Sequence, residues 1–256
     1  MKQSAFIVIL FVLAMVVSVG IYEVGLGNPA NFSDAAKEKP VNTLGRTYTG
    51  GPLISLLIAL SIMDVAIIIE RSLSLRKAAG KKAIPKFFKG VIDQIRAGQI
   101  DAAIASCDAQ RGSVANVLKA ALSRYKELTS GKSSIDAEKQ LVEVQRSVEE
   151  AMMLEVPILE KNLIALSTIA SIATMTGLLG TVIGMIRAFA ALAQSGAPDA
   201  IALATGISEA LFNTAGGLLV AIVGIVSYNF FVNKVDNFTF QVDEASYNVI
   251  QLLKSK

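Results

Sequence analysis

Residues 163–190 read LIALSTIASIATMTGLLGTVIGMIRAFA, an apolar run long enough to cross a bilayer. Within it Ser167, Thr174 and Thr181 recur every seven residues, so three hydroxyls share one face of a membrane helix. Small residues flank that stripe: Ala170, Gly177, Gly180, Gly184 and Ala188. A second run, from about 203 to 230, opens with Glu209, Asn213 and Thr214 and continues through Gly216, Gly217, Ala221 and Gly224. A helix that faces only lipid has no use for hydroxyls, an amide and a carboxylate. Two helices packed closely around something polar use them all, so the pair points to an ion-conducting or partner-binding membrane bundle.

Composition agrees. The chain is 53% hydrophobic with a mean hydropathy of +0.54, and its charged residues (18%) cluster outside four apolar runs at roughly 5–22, 53–72, 163–190 and 203–232. These leave about 75–160 as the soluble stretch of useful size, enough for a helical hairpin or small bundle. There is no histidine, which excludes His-based metal sites and general bases. The single cysteine, Cys107, excludes an intramolecular disulfide and reads as a small packing residue in an Ala-rich helix. No Walker loop, dinucleotide fingerprint or nucleophile elbow occurs, so neither a cofactor nor an enzyme active site is expected. With no tryptophan, Tyr22, Tyr48 and Tyr228 are the candidate interface anchors.

Charge asymmetry orients the helices. Seven Lys and Arg residues lie between Arg71 and Lys89 with no acidic residue among them. Beside a membrane span this is a positive-inside signal rather than a nucleic-acid site, so the second span runs outside to inside. The predicted plan has 1–26 as an N-terminal transmembrane helix or signal anchor, 27–51 as an external loop and 52–74 as a transmembrane helix. A cytoplasmic helical domain at 75–160, a transmembrane helix at 161–192 and an external turn at 193–202 follow. The plan closes with a transmembrane helix at 203–233 and a cytoplasmic tail at 234–256. Ser18-Val19-Gly20 also passes as a signal-peptidase site, but the run exceeds a usual signal core, which favours a retained helix.

In the cytoplasmic part, Pro85 starts a helix near 86–97 that Gly98 ends, and short helices follow at about 101–109 and 113–128. Residues 129–134 read as a turn. From Asp136 a stripe of Leu141, Val144, Val148, Met152, Val156 and Leu159 predicts a packing face on a long helix. The pattern runs on past Pro157, so the third span is expected to project below the membrane as one long helix.

Each polar residue of the spans has a plain reading beside a functional one. Gly177, Gly180 and Gly184 bring helix backbones close, and Gly217 does so from the other helix. Thr181 can bond the carbonyl four residues back and simply pack, or offer its hydroxyl to passing water. Glu209 costs roughly 2.5–3.5 kcal/mol at a helix centre and less near the interface, so it needs a partner or water. Arg187 stands at similar depth across a short turn, and in that pair loss of Glu209 is expected to leave a desolvated guanidinium. The other reading has Glu209 bordering a hydrated ion path. Asp64, near the middle of the second span, is either protonated or paired, and no second acceptor stands beside it in the sequence.

At these residues the chain resembles the MotA/TolQ/ExbB proton-channel family, and most closely its ExbB branch. The matching pieces are AIIIER at 66–71, MMLEVPILE at 152–160, the block from Leu163 to Phe189 and ISEALFNTAGGLLVAI at 207–222. With the loop pattern around Asp101–Arg111 they cover most of the chain from residue 52 onward. The resemblance implies an all-α, polytopic protein of the bacterial inner membrane, with transmembrane helices extending into the cytoplasmic helical domain and the external segments periplasmic. It implies a homopentamer in lipid whose third and fourth spans line a pore around the helices of an ExbD- or TolR-like single-span partner. An aspartate on that partner carries protons. By motif match Thr181 and Thr214 are the pore threonines and Glu209 the carboxylate opening the last span; Thr174 and Asn213 complete the predicted pathway. Proton flow then drives a TonB-like protein that energises outer-membrane import. A TolQ-like or motility subunit, or a non-conducting scaffold, is the alternative.

The chain departs from the family pattern in places. Thr174 and Val223 stand where proline is common, and Arg187 replaces a neutral residue of many members. The N-terminal run adds a helix to the usual three spans, and Asp64 matches no motif.

Overall fold

A computed structural model describes residues 3–37, 39–130, 136–194 and 200–254. Most of the turn read at 129–134, the centre of the turn read at 193–202, and the extreme ends of the plan at 1–2 and 255–256 lie outside the described residues. Apart from an isolated antiparallel bridge between Phe32 and Pro40, every regular element among the described residues is helical. Four segments are long and apolar enough to cross a membrane: Ala5–Leu26, and stretches within Pro52–Arg96, Glu138–Ala193 and Ala200–Lys254. The chain is thus an all-α, multi-pass membrane protein.

Two compact units divide it. The first combines the chain up to Ile69 with Asn162–Phe230. Here α1 (Gln3–Gly20) leads through a π-helical turn (Ile21–Leu26) and a 3-10 turn (Pro29–Asn31) to the short α2 (Thr43–Tyr48). Asn42 caps α2 by accepting from the Gly45 N–H at 2.9 Å. Asn31 donates to the Gly25 and Leu26 carbonyls, both at 2.9 Å, and so satisfies the end of the π turn. Tyr22 stacks on Tyr48 with ring centroids 4.6 Å apart. The unit's other helices are α3 (Pro52–Ala79), α8 (Leu163–Gln194) and α9 (Ala200–Lys254), each taken over the part that falls in it. Buried Ile54, Leu57, Leu60, Ile67, Leu166, Ala173 and Val220 fill its interior.

The second unit, Glu70–Lys161 with the chain from Phe231 on, holds α4 (Ile84–Arg96), α5 (Ile100–Gln110), α6 (Ser113–Ser130) and α7 (Ala137–Glu160). Pro85 lies in the first turn of α4, where its missing N–H costs nothing, and Gly98 follows the helix at φ +77°. Phe87, Val91 and Ile95 of α4, Val117, Leu118 and Leu122 of α6, and Val144 and Val148 of α7 are buried, as the helical spacing of each stripe requires. Cys107 is buried among them, and burial pushes its thiol up to about 12, so it packs and does not react.

One expectation is corrected. The helix from Asp136 does not run unbroken into the third span. It stops at Glu160, and Asn162 takes φ +63° before α8 begins, a left-handed conformation that asparagine accepts more readily than most residues. Arg71, 2% exposed and paired with Glu70, donates to the Ile158 and Leu159 carbonyls at 3.4 and 3.3 Å and satisfies acceptors left over by that break. The segment read as a tail from 234 is helical as far as Lys254. α9 continues for 55 residues, about 80 Å at 1.5 Å per residue, far beyond the ~20 residues a span needs. Val235, Phe238, Val242, Ala245, Val249 and Leu253 are buried along one face of this extension.

Candidate ion-path site between two close-packed helices

The glycines of α8 and α9 set the site. A methyl group built on Gly177 would lie 3.0 Å from the Asn213 carbonyl oxygen and 3.2 Å from Gly217 Cα. On Gly217 it would lie 2.6 Å from the Ala173 carbonyl, and on Gly184 2.7 Å from that of Gly206. On Gly180 it would overlap the Asn213 side chain. Numbers fall on α9 as they rise on α8, the register of antiparallel helices. Gly177, Gly184 and Gly217 therefore sit where the two backbones approach closely, and Gly180 makes room for the Asn213 side chain.

That approach brings the two predicted threonines together. The Thr181 and Thr214 hydroxyls are in direct hydrogen-bond contact, and each lies 3.3 Å from the Gly177 carbonyl, so one donates to its neighbour while the other donates to that carbonyl. Both side chains are half-buried. Two hydroxyls that share an acceptor can exchange donor and acceptor roles, which suits them to pass a proton or to hold a water in line. Thr174 does not join them: it donates to the Ala170 carbonyl at 3.0 Å, a backbone-satisfied packing hydroxyl.

Nearer the start of α9, Arg187 Nη1 donates to Glu209 Oε1 at 2.5 Å, so the predicted pair forms. The burial is the reverse of the expectation. The Glu209 side chain is 6% exposed and that of Arg187 57%, so the carboxylate, not the guanidinium, is the partner this chain encloses. The N-terminal segment explains this. Gly51, at φ +78°, lies over Glu209, and a methyl group there would come within 2.9 Å of Glu209 Oε1. Asn213, fully buried, donates from Nδ2 to the Gly50 carbonyl at 2.7 Å and to the Glu209 carbonyl at 3.1 Å. Its amide thus clamps α9 to the chain before α3 and does not reach the hydroxyl pair directly.

A cleft of about 520 Å³ opens over this end, lined by Tyr22, Lys37, Tyr48, Gly51, Arg187, Thr205 and Glu209 among others. The additional N-terminal helix and its loop therefore supply a wall of the cleft that contains Glu209. Gly50 and Gly51 were not singled out from the sequence, although Gly50-Gly51-Pro52 is a turn signal. Gly206 was also missed: a methyl group there would lie 2.9 Å from the Ala188 N and from the Gly184 carbonyl. Among the described residues no group of three or more His, Cys, Asp or Glu side chains is disposed to hold a metal.

Comparison with known proteins adds a lineage. The profile of the MotA/TolQ/ExbB proton channel family matches residues 109–244, more than half of the chain. Biopolymer transport protein ExbB of Pseudomonas putida is 40% identical over 88 residues, 34% of this chain, and the match spans only 27% of that protein's length. ExbB of Neisseria meningitidis serogroup A is 25% identical over 209 residues, covering 78% of this chain and 90% of the relative. The Tol-Pal system protein TolQ of Pseudomonas aeruginosa is 29% identical over 175 residues, covering 68% of this chain and 74% of the relative.

Proposed function

Since the chain belongs to the MotA/TolQ/ExbB proton channel family, we propose that it is the ExbB-like subunit of a proton-driven motor in the bacterial inner membrane. Its task is transport, not catalysis. Coupled to an ExbD-like single-span protein, it transmits the proton motive force to a TonB-like protein and so energises outer-membrane import. The observation that carries this reading is the contact of the Thr181 and Thr214 hydroxyls across a glycine seam, in a family of proton channels. The pathway runs past Glu209 to these hydroxyls and from there to a carboxylate on the partner. Five copies surround the partner's helices, with residues 27–51 periplasmic and 75–160 cytoplasmic.

The relatives named ExbB support this assignment, and the TolQ relative, aligned over 74% of its length, supports a second: a Tol–Pal subunit working with a TolR-like partner. The two differ in the partner. Purification of the chain from native membranes, followed by identification of the bound single-span protein, separates them. An ExbD-like protein with an intramembrane aspartate is the expected result; a TolR-like protein gives the second reading, and a stable oligomer with no such protein refutes both.

A further inference from the structure

Asp64 stands near the middle of the apolar run of α3, outside the arrangement just described. It is 1% exposed, and neither carboxylate oxygen has a hydrogen-bond partner among the described residues. The carboxyl lies against α9 at Gly224. A methyl group built on that glycine would sit 3.1 Å from Asp64 Oδ2, 3.1 Å from Ala170 Cβ and 3.2 Å from the Leu166 carbonyl oxygen. The absent side chain at Gly224 is what leaves room for the carboxyl between α8 and α9.

The surrounding charges decide its state. On α8 no charged residue occurs between Leu163 and Ile186, and on α9 none occurs between Ala210 and Asn233. The first span carries none from Ala5 to Tyr22. On α3 itself the nearest ionisable residues in sequence are Glu70 and Arg71, which pair with each other. Tyr228, one turn beyond Gly224, is the nearest ionisable residue along α9. A carboxylate this buried that reaches neither a cation nor a hydrogen-bond donor of the described residues does not keep its charge in such a place.

We propose that Asp64 is a proton-binding site of this chain, separate from the Thr181–Thr214 hydroxyls. The carboxyl is neutral while α3, α8 and α9 pack as they do here, and it gives up its proton only when the contact at Gly224 parts. Proton occupancy at Asp64 therefore favours the closed packing of α9 against α3.

Infrared spectra of the full chain in lipid nanodiscs, grown with side-chain carboxyl 13C-labelled aspartate, test this. The sequence holds nine aspartates, and Asp64 alone lies inside an apolar run. At pH 7 a protonated-carboxyl C=O absorption should shift with the label and vanish in Asp64→Asn. Asp64→Glu provides a second variant should the amide fail to fold, because it keeps a carboxyl while removing the labelled residue; the label-sensitive absorption should vanish there too. Absence of a label-sensitive protonated-carboxyl absorption in the unsubstituted chain overturns the proposal, since Asp64 is then ionised. Its persistence in either variant also overturns it, because another aspartate is then the source.

Discussion

Removing either end of the Arg187–Glu209 pair should have unequal consequences. The two side chains meet at 2.5 Å, but only Glu209 is enclosed by the chain, at 6% exposure against 57% for Arg187. Arg187→Gln strands a buried carboxylate under Gly51. Breaking a fully buried pair costs about 3–5 kcal/mol and an exposed one about 0.2–1 kcal/mol, so a pair buried at one end should lose about 2 kcal/mol. Glu209→Gln leaves a guanidinium that is already more than half exposed, and should cost about 0.5–1 kcal/mol. Adding Glu209→Gln to Arg187→Gln should recover most of the loss, a coupling of about 2 kcal/mol. Thermal unfolding of the purified complex in nanodiscs, with oligomer yield as a second readout, measures all three variants. If Glu209→Gln destabilises as much as Arg187→Gln, or the double variant is no better than Arg187→Gln, the assignment of burial is wrong. Activity is a separate axis: with Glu209 on the ion path, the rescued double variant should assemble yet transport poorly.

The seam between α8 and α9 predicts opposite behaviour for adjacent glycines. Gly217→Ala places a methyl group 2.6 Å from the Ala173 carbonyl and should cost about 1–3 kcal/mol in thermal unfolding. Gly216→Ala meets only a terminal methyl of Leu57 at 3.3 Å and should be neutral or stabilising by up to about 1 kcal/mol; equal loss in both variants contradicts the seam. For topology, Ser33→Cys should react with an impermeant maleimide in intact cells and Gln145→Cys only after lysis, both positions being exposed in the fold. The reverse pattern inverts the proposed orientation. Ser113 makes a poor probe because it is buried at the start of α6.

Much of this was legible because membrane helices impose a simple grammar. Apolar length marks the spans, and glycines spaced four apart mark the face on which Gly177, Gly184 and Gly217 meet other backbone. Glu209 and Arg187 were legible as a pair because two opposite charges at equal depth across a short turn have few other partners. What escaped depends on contacts distant in sequence or on one dihedral angle. The capping of the Ile158 and Leu159 carbonyls by Arg71 joins residues nearly ninety apart, and the helix break it accompanies rests on a single left-handed Asn162. Hydropathy says nothing of the cover that Gly50 and Gly51 place on Asn213 and Glu209, since glycine adds no side chain to read. That cover is also why the enclosed member of the ion pair was misjudged. The extension of α9 escaped because its buried face, from Val235 to Leu253, is interrupted by charges and reads as a tail.

In the proposed mechanism the Thr181 and Thr214 hydroxyls pass protons. Valine keeps the shape of threonine and removes the hydroxyl, so the double variant Thr181→Val, Thr214→Val should assemble with its partner at unchanged yield. Measured in cells whose growth requires energised import, transport by that variant should fall at least tenfold. Transport at the unsubstituted rate, with both hydroxyls gone and the complex intact, would show that these hydroxyls do not carry the proton.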